Sequence, residues 1–461
     1  MNLHGRHVLV MGLGVHGGGL GVARWLLRQG ARVTVTDMAD ASALAAPLAQ
    51  LDTIAADLGT SVRYTLGEHR ASDFTTPELI VANPAVRPDS PWLALAHEAA
   101  VPIASEMSLF FERCPGPILG VTGTKGKTTT ALLLAAMLRQ EHPGTVAAGN
   151  MRVSALEALD KIDATTPVVL ELSSFQLVGL GAAGYSPQYA LITNISPDHL
   201  NYHGTMHEYV AAKAQIYLHQ SDNGVTILPH DLADLPPPLG TCYRFGLDTS
   251  EPAGRMDGAR GLFLGEELFT LDDMQLRGRH NLANALAAAS LARSFGISAP
   301  SIRQALRSFG GVEHRQELVR ILDGVRYIND TTATNPAAAL AALESLPGPL
   351  ILIAGGADKK LEFDAFARAI MAHTKAYLLL EGSGTARLAE ALGRAETAHT
   401  TPLFGGTFGD FTAAIEAAQE LAVPGDTVLL SPGCASFGMF QNEFHRGEEF
   451  RRIVNGLTAK V

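Results

Sequence analysis

Residues 122–128 read Thr122-Gly123-Thr124-Lys125-Gly126-Lys127-Thr128, between a short apolar run at 118–121 and a helical run opening at Thr128. A strand, a glycine turn and a helix in direct succession are the first half of a βαβ unit. They commit the chain to an α/β architecture with parallel strands. The turn also has a chemistry. Its glycines let backbone N–H groups converge at a positive helix N-terminus, where phosphate oxygens are favoured. Lys127 is placed to reach the outer phosphates of ATP, and the Thr128 hydroxyl to ligate Mg²⁺. Gly123, Thr124, Lys125, Gly126 and Thr129 complete the candidate cradle. The strict Walker spacing asks for glycine at position 121, where Val121 stands, so the loop is a variant.

At 461 residues the chain is too long for one ordinary core and predicts several domains. A net charge of −11 without a block of like charge argues against nucleic acid or anionic membrane as a partner. It does not argue against a small anionic ligand in a local basic pocket. Cys114, Cys242 and Cys434 are widely spaced and lack metal-ligand spacing, which suits reduced thiols in the cytoplasm. The N-terminal residues run straight into a strand and leave no room for a signal peptide. The charge-free stretch 172–197 carries too many Gly, Ser, Gln, Asn and Pro residues for a membrane span. A soluble cytoplasmic protein with no membrane insertion is expected.

Strand and helix patterns fall into three α/β blocks. Residues 1–111 alternate strands at His7–Met11, 32–36 and Leu79–Ala82 with a small-residue helix at 17–29. The segment 112–117 reads as a linker. Residues 112–311 hold the glycine loop, strands at 168–172 and 190–194, an alanine-rich helix from about Asn281, and a small β subregion between 222 and 276. Residues 312–461 repeat the α/β style, with strands near 350–354, 376–381 and 427–431.

Other motifs are ambiguous singly. Gly12-Leu13-Gly14-Val15-His16-Gly17, with Asp37 at the end of the next strand, is the dinucleotide fingerprint in isolation. A second phosphate loop at 122–128 speaks against an ordinary dehydrogenase, leaving some nucleotide-like group for the first block. Glu171 ends a buried strand, where an acid beside a nucleotide commonly helps hold Mg²⁺. Alone, His199 reads as a polar core residue and Lys213 as a surface lysine.

Together and in order, these segments resemble the Mur ligase family, which forms peptide bonds with ATP in peptidoglycan synthesis. The resemblance rests on 122–128, Asn194 with Asp198-His199, Ala211-Ala212-Lys213, and Gly278-Arg279-His280-Asn281-Leu282-Ala283-Asn284. Within the family, 170–177 and 429–436 resemble the branch that adds glutamate to UDP-N-acetylmuramoyl-L-alanine. The resemblance implies a Rossmann-like N-terminal domain, a P-loop ATPase-like central domain and a Rossmann-like C-terminal domain. It implies ATP-dependent addition of D-glutamate through an acyl phosphate by a monomer. Addition of L-glutamate, or use of another muramoyl peptide, is the alternative within the family. A non-catalytic nucleotide-binding regulator is the alternative outside it.

Residue by residue, the resemblance places Lys127 and Thr128 on the ATP phosphates and on Mg²⁺. Glu171 is expected at a first Mg²⁺, and His199 and Lys213 at a second, with Lys213 carbamylated by CO₂. Asn281 and Asn284 are expected near adenine, Arg315 near the phosphates and Asp330 on the ribose. Val15, His16, Asp37, Asn83 and Pro84 fall to the uridine diphosphate. Asn150, Ser173 and Gln176 fall to the sugar-peptide. Thr334, Lys359, Ser436 and the backbone near Glu443 fall to the carboxylates of glutamate. Thr332 stands where the family often has lysine, Met151-Arg152 replaces a more usual Ile-Gly, and Glu443-Phe444 swaps an aromatic and an acid.

Overall fold

The computed structural model describes every residue except 1, 15–17, 152–153, 233–234, 277, 359–360, 397–401 and 461. The chain forms two compact units, Met1–Phe309 and Gly310–Val461.

The first unit opens with five strands: β1 (His7–Met11), β2 (Arg32–Asp37), β3 (Arg63–Leu66), β4 (Leu79–Ala82) and β5 (Ile103–Ala104). They pair in parallel in the order β3-β2-β1-β4-β5. Alternation along β1 sends Val8 and Val10 into one apolar cluster and Leu9 and Met11 into another. Both faces of the sheet are thus covered, as a parallel sheet requires. Strand order reverses at β1, between β2 and β4, which makes the carboxyl edge there a natural ligand crevice. The helix Gly18–Arg28 approaches closely: a Cβ at Gly19 would lie 2.2 Å from the Gly12 carbonyl oxygen.

The same unit continues into a nine-stranded sheet. Its strands are β6 (Ile118–Thr122), β7 (Val146–Gly149), β8 (Val168–Glu171), β9 (Tyr189–Ile192), β10 (Val225–Pro229), β11 (Thr241–Gly246), β12 (Gly254–Asp257), β13 (Arg260–Phe263) and β14 (Glu266–Thr270). The order is β14-β13-β12-β11-β10-β9-β6-β8-β7. Strands β6 to β11 pair in parallel, β12 joins β11 in parallel, and β12 to β14 form an antiparallel meander at one edge. The β subregion expected between 222 and 276 is therefore an extension of the central sheet. The helices Lys127–Arg139 and Arg279–Phe295 share one buried cluster with that sheet. Their small side chains, Ala131, Ala135, Ala285, Ala287, Ala288 and Ala289, allow the close approach.

The linker expected at 112–117 is shorter than that. Glu112 and Arg113 end the helix Glu106–Arg113, and only four residues precede β6. The first two blocks share a core: Trp25 and Leu26 belong to one apolar cluster with Phe110, Leu156, Leu170 and Ile216. An Arg24–Glu157 ion pair at 2.8 Å bridges the same two blocks.

The second unit holds β15 (Glu317–Leu322), β16 (Val325–Asn329), β17 (Leu350–Gly355), β18 (Thr374–Leu380), β19 (Leu403–Phe408) and β20 (Thr427–Leu430), in the order β15-β16-β20-β17-β18-β19. Strand β15 is antiparallel to β16, and the other pairs are parallel. Apolar clusters cover both faces.

Glu106 is the buried tie between the first two blocks. It accepts from the Ser154 hydroxyl at 2.6 Å and from the Ala155 N–H at 3.0 Å. Burial pushes its carboxyl up to about 7; the two hydrogen bonds pull it back and the Glu157 charge adds to the rise. A raised acid favours the folded state fully below its ordinary value of 4.5, and that contribution is lost as pH rises through 7. Glu106→Gln cannot ionise. Relative to the parent it should gain on the order of 2–3 kcal/mol between pH 5 and pH 8. Urea denaturation at the two pH values measures this, and parallel pH profiles for the two proteins would refute it.

Candidate active site: a phosphate cradle with a buried acid and a buried amine

The glycine loop leaves β6, which lies between β9 and β8 in the central sheet. Gly123 has φ 149° and Gly126 φ 79°, backbone that side-chain-bearing residues rarely adopt. Gly126 is also the residue before the helix Lys127–Arg139, so its conformation turns the helix N-terminus toward the loop. Space forbids a side chain there as well: a Cβ would lie 2.4 Å from Asn284 Oδ1.

The loop is held by side chains from distant parts of the sequence. Asn194, beyond β9, accepts from the Lys125 N–H through Oδ1 at 3.0 Å and donates through Nδ2 to the Lys125 carbonyl at 2.9 Å. The Thr193 hydroxyl donates to that carbonyl at 2.7 Å. The Asn194 carbonyl accepts from the Thr124 N–H at 2.9 Å. The Thr124 hydroxyl lies 3.1 Å from the Tyr209 hydroxyl and accepts from the Ser196 N–H at 3.0 Å. Lys127 Nζ donates to the Thr124 carbonyl at 3.0 Å, across the loop it is expected to serve.

Lys213 is buried, contrary to the surface position its sequence context suggests in isolation. It lies on the helix Met206–Ala214, is 1% exposed, and donates through Nζ to the Gly123 carbonyl at 2.7 Å. The Tyr209 ring, one helical turn earlier, lies 4.6 Å from that amine. Burial, with the Lys127 charge in the same sense and Asp198 in the opposite one, lowers the Lys213 amine to about 7.

Glu171 ends β8, in register with Val121 at the root of the loop. It is 2% exposed, and Oε1 accepts from Asn150 Nδ2 at 2.9 Å. Its Oε2 is buried and has no hydrogen-bond partner among the described residues. An oxygen left this way in a buried carboxylate fits a cation. His199 is half-exposed with φ 52°, a left-handed position for a non-glycine residue, and its ring meets Phe175 at 5.0 Å. Its Nδ1 lies 3.8 Å from Asp198, which also faces Lys125 at 3.7 Å.

Ser173 and Gln176 have a local task. Each accepts from the other's backbone N–H, a reciprocal cap on the helix Ser174–Ala182. In the first sheet, Asp37 Oδ2 accepts from the N–H groups of Leu13 and Gly14 at 2.9 and 3.0 Å, and Oδ1 from Ala39 at 2.9 Å. Asn83, next to Pro84 beyond β4, donates to the Gly12 carbonyl at 3.3 Å. Asp37 and Asn83 thus flank one glycine loop at the carboxyl edge. Val15, His16 and Lys359 lie outside the described residues.

The second unit gathers its own set. Asp330, beyond β16, accepts from the Ser431 hydroxyl at 2.7 Å and the Gln316 N–H at 3.2 Å. Burial pushes its carboxyl up to about 7 against these bonds and the Arg315 charge. Arg315 itself is exposed and Thr334 half-buried. The Thr332 hydroxyl donates to the His314 carbonyl at 2.9 Å, so this departure from the family pattern is used in backbone support. Ser436 is 3% exposed, and its Oγ has no hydrogen-bond partner among the described residues.

Three residues that the sequence reading did not single out as ligands or supports stand out in the structure: Thr193 and Tyr209 at the cradle, and Arg446. Arg446 is fully buried in the helix Glu443–Gly456. It donates to Thr331 Oγ1 at 2.9 Å, to the Thr331 carbonyl at 3.0 Å and to the Cys434 carbonyl at 3.4 Å, while Thr331 donates to the Glu443 carbonyl at 2.7 Å. The one available signal was Tyr209, at i,i+4 spacing before Lys213.

A phosphate cradle on a parallel sheet, with a buried acid and a buried amine beside it, defines a P-loop protein. The chain belongs to the Mur ligase family. Residues 6–105 match the MurD-like N-terminal domain of Mur ligases, 121–292 the Mur ligase middle domain and 314–434 the Mur ligase glutamate ligase domain. The UDP-N-acetylmuramoylalanine–D-glutamate ligase of Roseiflexus sp. (strain RS-1) is 52% identical over 475 residues, covering 99% of this chain and all of that one. The enzyme of the same name from Symbiobacterium thermophilum is 36% identical, covering 97% and 98%. Among solved structures, the UDP-N-acetylmuramate-alanine ligase of Thermotoga maritima shares the fold with a TM-score of 0.59 at 21% identity, covering 98% of this chain and 99% of that one. The MurF ligase of the same organism, solved with ADP, gives 0.54 at 17%, covering 98% and 96%.

Gly126→Ala should weaken binding of an ATP analogue about tenfold, since a left-handed alanine costs about 1–2 kcal/mol and its Cβ displaces Asn284. Calorimetric titration checks this; unchanged affinity would remove Gly126 from the cradle.

Proposed function

We infer that this chain is an ATP-dependent ligase that joins D-glutamate to UDP-N-acetylmuramoyl-L-alanine in peptidoglycan biosynthesis. The observation that carries the reading is the 52% identical D-glutamate ligase, matched from end to end. The domains are assigned as 1–111 for the UDP-substrate, 112–311 for ATP and 312–461 for glutamate.

The chemistry follows from the reactants. A carboxylate is a poor electrophile, so ATP first phosphorylates the alanine carboxylate and ADP leaves. The amine of D-glutamate then attacks the acyl phosphate, loses a proton, and the tetrahedral intermediate expels inorganic phosphate. Every reactant is anionic, so the residues must gather charge of one sign against its own repulsion.

Lys127 and the loop residues 123–129 are assigned to the ATP phosphates. Thr128 and Glu171 are assigned to one Mg²⁺, and His199 with Lys213 to a second. The orphaned Glu171 Oε2 supports the first assignment. Bound Mg²⁺ supplies charge neutralisation at the phosphoryl oxygens. Lys213 is assigned as carbamylated, and its lowered amine supports this: at neutral pH a substantial fraction is unprotonated and nucleophilic toward CO₂. Asn281, Asn284, Arg315 and Asp330 are assigned to the rest of ATP.

Val15, His16, Asp37, Asn83 and Pro84 are assigned to the uridine diphosphate. Asp37 reaches it by shaping the loop that it accepts from. Asn150, Ser173 and Gln176 are assigned to the sugar-peptide, the last two through their helix cap. Thr334, Lys359, Ser436 and the Glu443 backbone are assigned to glutamate. The buried Ser436 hydroxyl, without a hydrogen-bond partner among the described residues, suits a carboxylate oxygen. No described helix is long and apolar enough to cross a membrane, and a cytoplasmic monomer is the proposed form.

Phosphate release with ATP and UDP-N-acetylmuramoyl-L-alanine should require D-glutamate. Release with L-glutamate alone would refute the stereochemical assignment. Lys127→Ala should lower turnover by about 10²–10³-fold, as for loss of one transition-state charge contact; parent-like turnover would contradict its role. With ¹³C-bicarbonate, the parent should show a carbamate carbon resonance that Lys213→Ala lacks. A resonance that survives the substitution would place the carbamate elsewhere.

A further inference from the structure

Gly149 and Asn150 form the turn that ends β7, and this turn is seated on Glu171. Gly149 pairs with Glu171 in parallel register. At φ 102°, a Cβ on Gly149 would lie 2.3 Å from the Glu171 carbonyl oxygen, so only glycine permits the approach. The Asn150 N–H donates to that carbonyl at 2.8 Å, and the Asn150 side-chain amide donates to Oε1 at 2.9 Å. Beyond residues 152–153 the same connection is held again, where Ser154 and Ala155 donate to Glu106.

The consequence falls on the carboxylate. A terminal carboxyl torsion is broad and soft, so burial alone does not fix which oxygen faces which way. Here one oxygen is engaged by an amide and the other, equally buried, has no hydrogen-bond partner among the described residues. Asn150 is suited to this task because a neutral amide donor engages one oxygen without neutralising the charge that a cation needs. An arginine or lysine in its place would compete with the metal.

We propose that Asn150 is a positioning residue of the metal site: its amide fixes the rotation of the Glu171 carboxylate and presents Oε2 to Mg²⁺. The inference rests on the reading of Glu171 as a metal ligand. It gives Asn150 a task beyond contact with the sugar-peptide. Asn150 is exposed, and its Oδ1 makes no hydrogen bond among the described residues, so that atom is left for substrate while Nδ2 holds the ligand.

The test is Mn²⁺ binding to the full chain with β,γ-imido-ATP and without the sugar-peptide, followed by electron paramagnetic resonance. Asn150→Ala should raise the Mn²⁺ dissociation constant about tenfold, the lower end of what loss of a ligand-orienting partner costs. Glu171→Gln should raise it at least as much. If Glu171→Gln weakens Mn²⁺ binding and Asn150→Ala matches the parent, Asn150 serves substrate only and the proposal is overturned. If neither changes, Glu171 is not a ligand and the proposal falls with that reading. Should the alanine variant lose its melting transition, Asn150→Ser decides in its place: it keeps a polar turn residue too short to reach Oε1.

Discussion

The first unit depends on how the backbone of 122–128 is kept open. A loop whose N–H groups must face a ligand cannot spend them on itself, and glycines at φ 149° and 79° make it costly to order. The protein meets that demand from outside the loop. Asn194 and Thr193 converge on the Lys125 peptide, Thr124 is bound to Ser196, and Lys213 and Lys127 donate to the carbonyls of Gly123 and Thr124. These contacts engage the carbonyls of Gly123, Thr124 and Lys125 and the N–H groups of Thr124 and Lys125. The loop backbone is thereby fixed in advance, which is the preorganisation an anion site needs.

Burying Lys213 beneath the loop has a cost and a use. An ammonium removed from water, close to a second lysine, loses its preference for the charged state, and its amine falls to about 7. The same contact that braces Gly123 therefore holds a lysine at the edge of reactivity. Glu171 shows the complementary arrangement, with one oxygen engaged and one without a hydrogen-bond partner among the described residues. Both are understandable as parts of a site that is complete only when charged ligands are present.

Local signals were legible in the sequence. The bounds of β1 and β4 follow from apolar runs bounded by polar and glycine residues, and the loop with its helix follows from glycine spacing. Lys213 was legible as a site residue only through the family motif, because no local pattern marks a lysine that must be buried. Asn194 reaches Lys125 across 69 residues and Tyr209 reaches Thr124 across 85, so their support of the loop is a product of the parallel sheet bringing strand ends together. Ser173 and Gln176 carried a plain local signal, the spacing of a reciprocal helix cap, beneath their family assignment.

The second unit solves a related problem differently. Two of its buried charges are an acid and an arginine on separate supports. Asp330 is held by Ser431 and the Gln316 backbone, and Arg446 by carbonyls and a threonine hydroxyl, with burial shifting each toward its neutral form. Arg446 joins the segment beyond β16, the segment beyond β20 and the helix Glu443–Gly456 at one guanidinium. A planar group with five donors can bind such a three-way junction, whereas a lysine offers one point of attachment. The junction fixes the two segments that carry Thr334 and Ser436. Their spacing is thus set by a buried side chain, which is how the proposed glutamate contacts would be held before a ligand arrives.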